Sequence, residues 1–143
     1  MSTLNSNMAS EFLVMSTLYR LGLSPILTLG NKKDIDIIIH HQDGYTITID
    51  VKGLKGITNW PIGTKEKLRR LKHLKNHFFV FVSYRNHFLM PSEAPEIYIV
   101  PVRDISLLVH KWPRKNQYVV YRRELKQNAP KYQDNWGVLT NRH

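Results

Sequence analysis

Two short apolar runs, Ile35–His40 and Tyr45–Lys52, flank the turn-forming triplet Gln42-Asp43-Gly44 and constrain the fold of this chain more than any other segment. In the second run Tyr45, Ile47, Ile49 and Val51 alternate with Thr46, Thr48, Asp50 and Lys52, the period-two pattern of a strand with one apolar and one polar face. In the first run Asp36, Ile38 and His40 share a face. A three-residue loop pairs positions that sum to 86 and sets Asp36 opposite Asp50; a two-residue loop would move the partner by one.

The remaining elements fall around this hairpin. Residues 6–21 read as a helix that Ser6 or Asn7 can cap, with Met8, Phe12, Met15 and Tyr19 at helical spacing and Gly22 at its end. Pro25–Leu29 reads as a short strand before the turn at Gly30-Asn31-Lys32-Lys33. Beyond Lys52, Gly53, Gly56, Pro61 and Gly63 mark a loop, and Thr64 caps a basic helix over 65–75 with Leu68, Leu71, Leu74 and Phe78 as its apolar stripe. His77–Tyr84 is a nearly continuous apolar strand, expected to be buried on both faces. Glu96–Val100 is a further strand, Arg103–His110 a short helix and Tyr118–Tyr121 a strand. Helical character returns over Arg123–Gln127 and Lys131–Leu139. The order is that of an α/β domain with a mixed sheet, one domain over residues 1–143.

Two aspartates facing each other across a hairpin repel. Lys52, two residues after Asp50 and therefore on its face, offers one cation; a divalent ion between Asp36 and Asp50 offers a stronger one. Mg²⁺ takes hard oxygen ligands, commonly one or two carboxylates, and fills its other positions with water or phosphate oxygens. A site of that kind suits phosphodiester hydrolysis, with Lys52 orienting the attacking water or stabilising charge at phosphorus. Glu11 has Met8, Met15 and Leu18 as its helical neighbours, an apolar setting that asks for a partner or a metal. It can reach the site through a bound water or help to hold a second ion.

A helix bearing Glu11, a strand bearing Asp36 and a strand bearing Asp50-Val51-Lys52 together resemble the PD-(D/E)XK nuclease superfamily, which includes restriction endonucleases and archaeal-type Holliday junction resolvases. The likeness spans roughly residues 8–85. It implies a restriction endonuclease-like αβββαβ core with a mixed central sheet flanked by helices, followed here by a helical C-terminal tail. It also implies Asp36 and Asp50 as ligands of Mg²⁺ or Mn²⁺, the Val51 carbonyl completing the ligand set, Lys52 as the catalytic lysine and Glu11 as the helix acid. Ile35 stands where the family motif has proline, and Asp34 competes with Asp36 for the first acidic position.

Charge points to the substrate. The chain carries a net charge of +10, yet residues 34–50 hold Asp34, Asp36, Asp43 and Asp50 and no Lys or Arg. The basic surplus over 65–75 faces only Glu66, so internal pairing cannot satisfy it. Lys65, Lys67, Arg69, Arg70 and Lys72 are therefore read as phosphate contacts, with Lys32, Lys33, Lys55 and Arg69 near the mouth of the site. Trp60 either stacks on a base or packs its loop onto the core. The absence of cysteine excludes disulfides, thiolate zinc sites and a Cys nucleophile. No apolar run is long enough for a membrane span, and the polar start Met1–Ser10 does not read as a secretory signal, so a cytoplasmic protein is expected. The resulting expectation is a Mg²⁺-dependent endonuclease acting on DNA in preference to RNA, branched DNA included. The alternative is a catalytically silent nucleic-acid-binding module of the same fold; an adaptor for protein partners is a third. A homodimer through the apolar edge Ile97–Val102 and the tail near Trp136 would let two sites address two strands.

Overall fold

A computed structural model of the chain describes residues 3–140. The first helix, α1, runs Thr3–Arg20 and so starts earlier than its sequence pattern suggests. Ser6 and Asn7 are therefore not caps. Ser6 lies inside the helix, where its carbonyl accepts the Ser10 hydroxyl at 2.6 Å. The C-terminus closes as expected at Gly22, whose φ of 85° lies in the left-handed region that glycine tolerates. Gly22 N–H donates to the Tyr19 carbonyl and Leu23 N–H to the Leu18 carbonyl, both at 3.0 Å. That is the paired-bond closure known as a Schellman motif, with Leu18 in the core and Leu23 packed against it.

The main sheet contains β1 (Pro25–Leu27), β2 (Ile37–His40), β3 (Thr46–Leu54), β5 (His77–Ser83) and β6 (Glu96–Pro101), in that spatial order. The β3–β5 pair is parallel and its other pairs antiparallel, so the sheet is mixed. The hairpin register is the one the three-residue loop dictates: Ile37 pairs with Ile49 and Ile39 with Ile47. Ile37, Ile39, Ile47, Ile49 and Val51 are buried against Val14 and Leu18 of α1, Leu139 of the tail, and Val80 and Val82 of β5. Phe79 and Phe81 of β5 point to the opposite face, so this strand is apolar on both sides, and all its residues are buried.

That opposite face meets a second, three-stranded sheet, which the sequence reading does not contain. Its strands are β4 (Asn59–Gly63), β8 (Tyr118–Tyr121) and β7 (Val109–Lys111), in the order β4-β8-β7. The segment read as a Gly/Pro loop is thus an edge strand. Trp60 and Ile62 point inward and Pro61 outward, where a missing N–H is tolerated. Trp60 is fully buried against Phe81 and Tyr98, and its indole N–H donates to the Val82 carbonyl at 3.1 Å. It packs the core and is not a stacking platform for bases. Trp60→Ala is expected to cost about 3–5 kcal/mol, read as a lower midpoint in chemical denaturation. A loss below about 1 kcal/mol would contradict this placement.

Helix α2 (Lys65–Leu71) is shorter than expected. Thr64 does cap it, its hydroxyl accepting Lys67 N–H at 3.2 Å, but the apolar stripe ends at Leu71. Leu74 is exposed, Asn76 turns left-handed at φ 58°, and Phe78 already belongs to β5. Helices α3 (Val102–Leu108), α4 (Arg122–Gln127), α5 (Ala129–Tyr132) and α6 (Gly137–Thr140) complete the chain, the last three forming the expected helical tail. This tail covers the edge nominated for self-association. Tyr98 bridges to Gln133, Asp134 N–H donates to the Ile97 carbonyl at 2.9 Å, and Ile99 is fully buried. Trp136 packs against the same core. No helix among the described residues is long and apolar enough to cross a membrane.

Candidate active site

The site arises because β3 outruns β2. Ahead of β2 the chain leaves the sheet through a turn in which Asp34 is left-handed at φ 64°. Beyond Ile49, the edge of β3 on the β2 side therefore has no strand to pair with, and side chains take over. Asp36 N–H still donates to the Ile49 carbonyl at 2.8 Å, and the Asp36 Oδ2 atom accepts Val51 N–H at 2.8 Å. Two residues further on, Gly53 N–H donates to Asn7 Oδ1 at 3.3 Å. Gly53 is required for this approach, since a Cβ there would lie 2.5 Å from both the Ser6 carbonyl oxygen and Ser10 Oγ. The glycine lets α1 lie against β3, and that contact delivers Glu11.

The result is a polar cleft of about 240 Å³ at the notch in the sheet. Glu11 and Asn7 line it from α1, Asp34 and Asp36 from the turn, Asp50, Val51 and Lys52 from β3, and Lys67 from α2. Glu11, Asp36, Asp50 and Lys52, separated by up to 41 residues in sequence, thus share one cavity. The competing Asp34 lines it as well. Asp50 is 2% exposed and carries two cations: Lys52 Nζ lies 3.3 Å from Oδ1 and Lys67 Nζ 2.9 Å from Oδ2.

Lys67, one of the expected phosphate contacts, lies inside the cleft: its side chain is only 13% exposed and its ammonium also lies 3.8 Å from Asp34 Oδ1. Gly63 makes room for it, because a Cβ there would strike the Lys67 stem. Arg70, one turn on, donates to Asp34 Oδ2 at 2.9 Å. The basic helix therefore divides. Lys67 and Arg70 face the acidic cleft, whereas Lys65, Arg69 and Lys72 line a separate groove of about 330 Å³ against Val102, Ile105 and Tyr118. That roomier groove has no carboxylate in its lining and no evident chemistry. Arg69, expected at the mouth, is turned away from it. Lys32 and Lys33 are exposed in the turn that leads to Asp34, and Lys55 lies just past β3 with its ammonium over the Phe88 ring.

Burial and mutual repulsion hold two carboxylates of the cleft above their usual range. Burial, then repulsion from Asp36 and Asp50, raises the Glu11 pKa to about 7. Burial and the Asp50 charge raise Asp36 to about 6, against the opposing Val51 N–H bond and the two lysines. Burial works against the Lys52 ammonium, but the Asp50 charge, hydrogen bonding and the Asp36 charge together outweigh it and the pKa rises. For Lys67 burial prevails, reinforced by Lys52, and the pKa falls.

These shifts have a signed consequence. Glu11 holds its proton more tightly folded than unfolded, so its contribution to stability falls as pH rises from about 4.5 to about 7 and is fully lost above that. His77, which burial holds neutral down to about pH 4, acts oppositely in the same window. The clean readout is therefore a difference. In EDTA, Glu11→Gln is expected to match the parent near pH 4.5 and to exceed its stability at pH 8 by on the order of 2 kcal/mol. Equal offsets at both pH values, measured by thermal unfolding, would exclude a buried, proton-holding Glu11.

The donor set fits a hard dication. Asp36 spends one oxygen on Val51 N–H and keeps the other, and Asp50 Oδ2 is buried with no aligned hydrogen-bond donor despite the nearby Lys67. The Val51 N–H and C=O share one edge of the strand, so the carbonyl faces the same side as Asp36. Among the described residues no three Asp, Glu or His side chains converge as a ready-made metal cage. An ion here would rest on two carboxylates and a carbonyl, a set that suits Mg²⁺. Comparison of the chain with protein-family models, with curated proteins and with solved structures returned no match.

Proposed function

We propose that this chain is a divalent-metal-dependent phosphodiester hydrolase of restriction endonuclease-like fold that acts on nucleic acid, DNA in preference to RNA. The observation that carries the reading is the register. It sets Asp36 beside Asp50 where β2 ends, with Lys52 next along β3 and Glu11 delivered by α1 to the same cleft. Asp36, Asp50 and the Val51 carbonyl would hold Mg²⁺ or Mn²⁺. When bound, such an ion would supply Lewis acidity to activate water and offset phosphoryl charge. Lys52, tethered on the same face as Asp50, is placed to meet the phosphate or to orient the nucleophilic water. Glu11, with its pKa near 7, can hold or accept a proton at working pH. Lys32, Lys33 and the surplus charge of the chain supply electrostatic grip on the backbone.

One observation favours a second reading. Lys52 and Lys67 already neutralise Asp50, as they would in a module that kept the fold and the nucleic-acid surface but not the reaction. Titration with Mg²⁺ and Mn²⁺ over single-stranded, duplex and branched DNA and over RNA separates the two. Hydrolysis that rises with millimolar metal and stops with EDTA is expected of the enzyme. Salt-sensitive binding without cleavage identifies the silent module. If no nucleic acid binds at low salt, both readings fail.

A further inference from the structure

The loop that follows β5 presents an unusual surface. Leu89 is 74% exposed and Met90 49% exposed, with Ile57 at 47% on the neighbouring segment after β3. The loop is firmly built. Asn86 N–H donates to the Lys55 carbonyl at 2.7 Å, His87 N–H to the Tyr84 carbonyl at 2.8 Å and Met90 N–H to the His87 carbonyl at 2.9 Å. Arg85 Nη2 donates to the Ala94 carbonyl at 2.9 Å, which ties the two arms together. Arg85 and Asn86 both sit in the left-handed region, at φ 50° and 67°, a conformation that non-glycine residues keep only when their surroundings impose it. A rigid loop that points leucine and methionine at solvent is not serving the core.

Its position relates it to the cleft. The Ser10 hydroxyl, one residue from Glu11, lies 3.0 Å from the Tyr84 hydroxyl, and the Tyr84 ring packs edge-on to Phe88 at 4.8 Å. Glu11, Ser10, Tyr84, Phe88 and Leu89 thus form a continuous path from the cleft wall to the tip. Lys55, whose ammonium lies over the Phe88 ring, is three residues beyond Lys52, about 10 Å along an extended chain. That reach corresponds to about three base-pair steps along a duplex. The setting is cationic and apolar together, which complements a polyanion with apolar base faces.

We propose that the Phe88–Met90 tip is a wedge that inserts between neighbouring bases of a nucleic-acid duplex beside the cleft, while Lys55 faces the adjoining phosphates. The proposal rests on the nucleic-acid reading above and deepens it, since a wedge unstacks and bends a duplex and favours substrates that already open easily. Mismatched or branched DNA would then be preferred over continuous duplex.

The test uses the full chain in EDTA, so that cleavage plays no part, and a DNA duplex carrying 2-aminopurine beside a mismatch. Binding of the parent chain is expected to raise the fluorescence several-fold as the base unstacks. Leu89→Ser together with Met90→Ser is expected to remove that rise and to weaken binding to the mismatched duplex about tenfold. Binding to single-stranded DNA, which needs no unstacking, is expected to change less than about twofold. An undiminished fluorescence rise in the variant overturns the wedge, as does equal weakening on both DNAs. A concentration-dependent change of mass that the double substitution abolishes would assign the tip to self-association and also overturn it. Any of these results with salt-sensitive DNA binding retained removes the wedge alone; loss of all nucleic-acid binding by the parent chain removes the functional reading with it.

Discussion

Asp50→Ala is expected to abolish metal-dependent cleavage, by at least about a thousandfold, and to destabilise the fold as well. The first effect follows from placement, because Asp50 is the one carboxylate that faces Asp36 across the notch and shares a strand face with Lys52. The second follows from its neighbours. Asp50 is 2% exposed and stands between two ammonium groups, so its removal takes from Lys52 its ion-pair partner and leaves Lys67 with Asp34 alone. Breaking a buried pair of this kind costs about 3–5 kcal/mol when the orphaned charge must stay charged. Lys67 keeps Asp34 within 3.8 Å, which reduces the expected loss to about 2–3 kcal/mol. Thermal unfolding reads this as a fall of roughly 5–10 °C for a chain of this size. Adding Lys67→Met should recover most of the stability and none of the cleavage. That double variant separates the chemical role from the structural one. Full cleavage by Asp50→Ala would end the hydrolase reading whatever its effect on stability.

How much of this site can be read from sequence depends on which residues are local to one another. The hairpin is legible because a period-two pattern and a three-residue turn leave one register that buries Ile37, Ile39, Ile47 and Ile49 together, and that register carries Asp36 to Asp50. Glu11 is legible as an acid on an apolar helical stripe, although Asp36, Asp50 and Lys52, which share its cleft, lie 25 to 41 residues away. The second sheet is not legible. Asn59–Gly63 contains only two inward apolar residues, Trp60 and Ile62, and its proline and glycine match a loop as well as an edge strand. Helix α2 is overextended in sequence because Leu74 and Phe78 continue the spacing of Leu68 and Leu71, whereas Asn76 turns left-handed and starts a buried strand. Lys67 is the instructive case. Nothing in its own helix distinguishes it from Lys65 or Lys72; the distinction comes from Gly63, Asp34 and Asp50, which only the folded chain brings to its side chain.

The two lysines on Asp50 are expected to behave differently when replaced. Lys52→Ala should lower cleavage by about a thousandfold or more with nucleic-acid binding retained, whereas Lys67→Met should lower it by about tenfold and tighten metal binding. The difference lies in what each ammonium holds besides Asp50. Lys67 has Asp34 at 3.8 Å, is 13% exposed, and is enclosed by the Gly63 turn and the Phe79 ring. With a dication held at Asp50, like charges would repel, and Lys67 would keep Asp34 as its anion. Lys52 is 25% exposed and Asp50 is its only ion-pair partner among the described residues, so on the proposed function it would be the one freed to meet a phosphate. On the proposed function, Lys67 would offset the charge of the acidic cluster and Lys52 would act on the phosphate. Lys52→Arg should not restore cleavage, since a planar guanidinium cannot reproduce a point charge at the end of a flexible stem. Cleavage rates together with Mn²⁺ affinity, the latter measured by calorimetry without nucleic acid, test the division. Equal losses in the two variants, or weaker metal binding in Lys67→Met, would show that both ammoniums serve a single role.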